Sequence, residues 1–191
     1  MARSGLLEEP LPKPRRDPAG YASARILEVL LEALLALRFL GEGYTRNAAG
    51  KVFQAWRALT AAILALELDR VLGRFESERD RKWILEKGLP RVPSTRLKTL
   101  GQLIEELGYP HYTHFTSTAL DLHDYQYHGP DPDAELSKYA NREEAARDII
   151  YLLERLTEII EERVKPRLEE LGKWDEDHEK ALKELKGKLG S

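Results

Sequence analysis

The chain has 191 residues, 42% hydrophobic and 33% charged, with a formal net charge of -3 and no cysteine. That length supports one sizeable domain, and the composition favours amphipathic helices over disorder or a membrane protein, since no run approaches the roughly 20 apolar residues a span requires. Absence of cysteine excludes disulfides, thiolate metal sites and cysteine nucleophiles, leaving any chemistry to histidine, carboxylates or hydroxyls.

Residues 1–20 carry Pro10, Pro12, Pro14 and Pro18 with Lys13, Arg15 and Arg16. They lack the order of regions of a secretory signal, so a cytoplasmic protein with an extended or disordered N-terminal arm is expected. From Tyr21 the spacing of Ile26, Val29, Leu30, Ala33, Leu34, Leu37 and Leu40 predicts a helix burying one broad face, stopped by Gly41 and Gly43. A second helix is predicted from Thr45 to Leu72, where the alanines set among Val52, Trp56, Leu59 and Ile63 allow close approach of a partner helix. The first two helices therefore form an antiparallel hairpin.

Residues 73–93 are charged and interrupted by glycine and proline, which predicts a long irregular connection with a short helix around Trp83. A third helix follows over Thr95 to Leu107 and a fourth over His111 to Tyr127, ended by Gly129 and Pro130. In the last long helix Asn141 is the N-cap, with Glu144 three residues on. Pro166 predicts a kink or break before a charged, lysine-rich tail. The fold expected is an all-α antiparallel bundle of about five helices: an arm over 1–20, a bundle over 21–165 and a helical tail over 166–191. One methionine, no cysteine and dense mixed charge suit a thermophile surface.

Charge is uneven along this course. Nine basic residues face four acidic ones between Arg70 and Lys98, whereas four basic face thirteen acidic between Gly101 and Glu161. The first stretch suits a polyanion, with Arg79, Arg81 and Lys82 for phosphates and Trp83 as a stacking platform for a base. The alternative is an ordinary solvated face with pairs such as Glu78 with Lys82. Arg46 and Asn47, at the start of the second helix, are placed for an anion at the helix's positive end, or for local capping.

Four of the five histidines, His111, His114, His123 and His128, fall within eighteen residues. On a regular helix His123 and His128 stand about 140° apart, so joint action needs the helix to unwind before His128, or a second copy to supply one group. His111 and His114 share a helix face with Asp121 two turns on, but without a recognised metal-ligand spacing; no metal or cofactor is expected. The structural alternative is that these side chains cap helix ends and fill a polar seam.

The segment Tyr44-Thr45-Arg46-Asn47-Ala48-Ala49-Gly50-Lys51 with its alanine-rich helix, the segment Thr99-Leu100-Gly101-Gln102-Leu103-Ile104-Glu105-Glu106-Leu107-Gly108, and the histidine segment before the last helix stand in an order that resembles HEPN domains. More closely, the chain is similar to the archaeal PaREP proteins, over roughly Tyr21 to Glu162. Many HEPN domains are metal-independent ribonucleases with an arginine, a polar residue and, after three more positions, a histidine, the site being completed across a dimer. The matching positions are His123, Asp124 and His128, with histidine in place of the arginine, and Tyr125 and Tyr127 beside them as helpers. The resemblance implies a homodimeric binding module associated with nucleotides, RNA or a nucleotidyltransferase-type partner in a defence or toxin and antitoxin setting. A ribonuclease and a ligand-free oligomerisation scaffold are the alternatives.

Overall fold

A computed structural model describes residues 10–190; residues 1–9, on which the first half of the expected arm falls, and residue 191 lie outside the described residues. The chain is all-α, an antiparallel helical bundle with no strand among the described residues. It holds more helical pieces than the sequence predicts.

Helix α1 (Pro18–Gly41) begins three residues before its apolar stripe, because Asp17 caps it, accepting Gly20 N–H at 2.8 Å, and Pro18 fits the first helical position, where no N–H is needed. It turns back into α2 (Thr45–Leu66) through Gly43, whose φ of +84° suits glycine. Among the described residues the two helices form the most extensive pairing. Alanines 48, 49, 55, 58, 61, 62 and 65 of α2 are all buried, so the axes approach closely, and the larger Val52, Phe53, Trp56, Leu59 and Ile63 fill the remaining core. Each such large side chain removed from water contributes about 1.5–3 kcal/mol, which makes α2 the spine of the fold. It ends at Leu66, short of the expected Leu72. Glu67 leaves helical geometry, and its carboxylate is held by Arg70 at 2.8 Å and by the Tyr109 hydroxyl at 3.2 Å, before the short α3 (Leu68–Gly73) resumes the coil.

The connection after α3 is itself largely helical. Helix α4 (Glu78–Trp83) opens into a π turn (Ile84–Gly88), then α5 (Leu89–Arg91) and a 3₁₀ turn (Ser94–Arg96) leading into α6 (Leu97–Glu106). Helix α7 (Tyr112–His128) packs on both α2 and α6, and α8 (Arg142–Ile159) closes the bundle. The Asn141 cap forms as the sequence predicts: its side chain accepts Glu144 N–H at 2.9 Å while the Glu144 carboxylate accepts Ala140 N–H.

Pro166 neither kinks nor breaks the chain alone. A π turn (Ile160–Val164) precedes α9 (Lys165–Glu170), with Lys165 N–H reaching back five residues to Ile160 C=O. The other π turn stands in the same relation to Pro90, with Leu89 N–H bonded to Ile84 C=O. In both places one extra residue widens the turn where a proline lacks its N–H and its ring would meet a carbonyl of the previous turn. Helix α10 (Glu176–Leu189) folds back on α1, burying Ala181, Leu182 and Leu185. No helix among the described residues is long and apolar enough to cross a membrane.

Candidate functional site

Helices α2 and α7 run antiparallel along a seam with two different ends. At the inner end, Trp56 Nε1–H donates to Thr116 Oγ1 at 3.0 Å, and Thr116 donates to Tyr112 C=O at 2.8 Å. Thr60 donates to Trp56 C=O, so the Tyr112 hydroxyl, 2.9 Å away, is the donor to Thr60 Oγ1. Burial pushes the Tyr112 phenol far above its ordinary range, keeping it a neutral donor. Each of these polar side-chain atoms is buried and paired, so this end is structural.

The outer end holds the sequence-predicted residues. His123 is half-buried, its ring stacked on Phe53 at a centroid distance of 3.9 Å, with Tyr127 edge-on at 5.2 Å. Burial, opposed by Asp124, lowers its pKa below the ordinary value. Gln126 lies near enough to favour the charged His123 ring, yet His123 Nδ1 and Gln126 Oε1, both buried, make no hydrogen bond of ordinary geometry. Helix α7 stays regular through His128, and the left-handed Gly129 ends it only afterwards. Within one chain His123 therefore faces α2 while His128 and Asp124 stand exposed, and the three do not converge. Tyr125 is buried edge-on against Tyr139 at 5.5 Å, whereas Tyr127 is exposed.

Arg46 is committed to this end. Its Nε and Nη2 donate to Gln126 C=O at 3.0 Å and Tyr127 C=O at 2.6 Å, closing the carbonyl end of α7. Asn47 is exposed beside it. The rings of His111 and His114 lie 6.3 Å apart, and among the described residues no group of three or more His, Asp or Glu is gathered closely enough to hold a metal ion.

The basic stretch builds a different feature. Between α4 and α6 lies a cleft of about 400 Å³ lined by Trp83, Phe75, Arg74, Arg79 and Arg96, by the acidic Asp80 and Glu106, and by Leu100 and Leu103. Trp83 is half-buried rather than fully exposed because its ring packs on Gly88, where an added Cβ would stand 2.8 Å from Cζ3. Arg81 Nε donates to Phe75 C=O at 2.8 Å, and Arg74 to Glu106 C=O at 3.1 Å. Neither Arg79 nor Arg96 has an ion-pair partner among the described residues, and Glu78 does not pair with Lys82. Arg79 also lines a neighbouring trough with Arg15, Arg81 and Lys82, together with Glu78 and Glu86. Sequence reasoning picked out Arg79 and Trp83 but not Phe75, Arg74 and Arg96 as their companions, since only the fold brings α6 against α4.

A serine, histidine and carboxylate row on α1 and α10 was also not legible. His178 is buried, with Nδ1 at 2.6 Å from Asp175 and Nε2 at 2.9 Å from Ser23 C=O and 3.4 Å from its hydroxyl. The row has the residue types of an acyl-transfer triad, but Ser23 Oγ–H donates to Lys173 C=O at 2.7 Å and Nε2 is occupied by a carbonyl. It fastens α10 to α1 and activates no nucleophile.

No curated protein and no solved structure matches the chain. The model of the archaeal PaREP1/PaREP8 family matches residues 24–150, from the first turns of α1 into α8 and across both the seam and the cleft, and the chain belongs to that family.

Proposed function

We propose that the protein is a cytoplasmic, HEPN-like binding module whose ligand is a phosphorylated nucleoside, free or carried in RNA, held in the α4–α6 cleft. The observation that carries this reading is the pairing of an aromatic wall, Trp83 with Phe75, with the unpaired guanidinium groups of Arg79 and Arg96 in one cavity. An aromatic face stacks on any base and guanidinium groups donate to phosphate oxygens, the two elements that nucleotide recognition requires. The trough beyond Arg79, where Arg15, Arg81 and Lys82 stand with Glu78 and Glu86, keeps a net positive lining for a neighbouring phosphate.

The test is Trp fluorescence and filter binding at low salt with ATP and with a mixed RNA pool. Quenching by the ligand, affinity that falls as salt rises, and loss of binding in Trp83→Ala and Arg79→Glu with Arg96→Glu are the expected results. No retention of either ligand, with the charge reversals altering nothing, removes the reading.

A second reading, a metal-independent ribonuclease with His128 as general acid or base and His123 and Asp124 beside it, is favoured by the exposure of His128 and Tyr127 at the α7 terminus. It needs a second copy to complete the site, in keeping with a homodimer. RNA cleavage in EDTA by the wild type and not by His128→Ala, with both equally stable, is its signature.

A further inference from the structure

Where α7 begins, beside the second π turn, three features meet at a pocket that the cleft does not reach. The pocket, of about 220 Å³, is lined by Tyr109, Pro110, His111 and Phe115 on one side and by Arg155, Glu158, Ile159, Glu162 and Arg163 on the other. It is smaller than the roughly 300–1,000 Å³ cavities that take drug-sized ligands.

His111 stands at φ +63°, a region that L-residues other than glycine seldom occupy and that persists only where the surroundings hold it. Its carbonyl starts α7 by accepting the N–H groups of His114 and Phe115 at 3.0 and 3.1 Å, and its ring stands on the pocket wall. Glu162 and Arg163 belong to the π turn, where the extra residue resets the phase of the helix. Arg163 is held in place by its bond to Gly108 C=O and by stacking on the Tyr109 ring, 5.0 Å from the centroid.

The charges in this pocket are unevenly used. Arg155 Nη2 pairs with Glu158 at 2.7 Å and its guanidinium lies over the face of Tyr151, while its buried Nε has no hydrogen-bond partner. Glu162 and Arg163 have no ion-pair partner among the described residues. The pocket thus presents one carboxylate and one fixed guanidinium that lack a counter-charge, with an imidazole, against an aromatic and aliphatic wall. A ligand bearing only an anion would leave Glu162 facing like charge, and one bearing only a cation would leave Arg163 unanswered.

We propose that the pocket binds a small zwitterion of the α-amino acid class with an apolar side chain. The carboxylate lies against Arg163 and His111, the ammonium against Glu162, and the side chain against Phe115 and Ile159. This site is independent of the α4–α6 cleft, with which it shares no lining residue.

The experiment is calorimetric titration and thermal shift of the full chain with each of the twenty free α-amino acids, alongside their N-acetyl and methyl ester forms. At least one amino acid with an apolar side chain binds with a Kd of about 1 mM or tighter, the range open to a ligand of so few atoms. Blocking either charged end weakens binding about tenfold or more, as do Arg163→Gln and Glu162→Gln, because each removes one charge-assisted contact. Glu162 is exposed and holds nothing in the fold, so Glu162→Gln tests the site even if Arg163→Gln fails to fold. Absence of binding for every free amino acid at about 10 mM overturns the proposal, and so does equal binding of the acetylated form, or affinity untouched in Glu162→Gln.

Discussion

The inner and outer ends of the α2–α7 seam are made by the same pair of helices, yet they differ in almost every physical respect. At the inner end Trp56, Thr60, Tyr112 and Thr116 are fully buried and answer one another's donors and acceptors. At the outer end His123 and Gln126 leave buried atoms unpaired, and Tyr127, His128 and Asp124 reach solvent. A buried hydrogen-bond network is costly to disturb, because any orphaned member keeps its full desolvation penalty, whereas a half-open end relaxes or admits water. The residues with the most chemical potential thus sit where the fold constrains them least.

Five substitutions break or sharpen that contrast. The largest effect is expected from Trp56→Ala, which empties the inner end and removes the donor to Thr116 Oγ1; urea unfolding should show a loss of about 3–5 kcal/mol. Less than about 1 kcal/mol would show that the seam is not the spine we describe.

Two glycines compare the ends directly. A Cβ at Gly101 would stand 2.7 Å from Thr116 Oγ1, which two hydrogen bonds hold in place, whereas one at Gly50 would meet the amide end of Gln126 at a similar distance. Gly101→Ala should therefore lose about 1–3 kcal/mol despite better helix propensity. In Gly50→Ala the glutamine can swing away and the propensity gain offsets the rest, leaving a change within about 1 kcal/mol of zero. Equal losses at the two sites would erase the distinction.

Arg46→Ala removes two guanidinium bonds to the last carbonyls of α7 at an exposed position. A loss of about 1 kcal/mol is expected, together with faster amide exchange confined to the C-terminal turn of α7.

The smallest effect is a pH slope. Burial holds the His123 pKa below its ordinary value of 6.5, so the unfolded chain takes up a proton first as the pH falls. Stability is unaffected well above 6.5, declines as the pH drops through that value, and levels off below the folded pKa. His123→Phe keeps an aromatic ring on Phe53 but cannot titrate. Its Tm relative to wild type should rise between about pH 8 and pH 5, and a flat difference would place His123 in water.

Much of the bundle was legible in the sequence because it rests on local rules. The α1–α2 hairpin follows from apolar spacing and a short glycine turn, and the Asn141 cap from a side chain that reaches its own helix end. The end of α2 was less so, since Glu67 is fastened by Tyr109, forty-two residues away. The histidine cluster drew attention by its density, but proximity in sequence did not make a site: helical phase sends His123 toward α2 and leaves His128 outside.

Sequence alone therefore determined that the chain is helical, where α6 and α7 begin and stop to within a residue or two, where α2 and α8 begin, and which stretch concentrates positive charge. Those properties depend on residues within one or two turns of each other. Only the tertiary structure decided that two prolines are absorbed by π turns, that α10 is fastened to α1 through His178, and that Arg96 on one element faces Arg79 and Trp83 on another. Each of these is set by packing between segments distant in sequence, where the shape and free hydrogen-bonding groups of one helix select the partner and phase of the next.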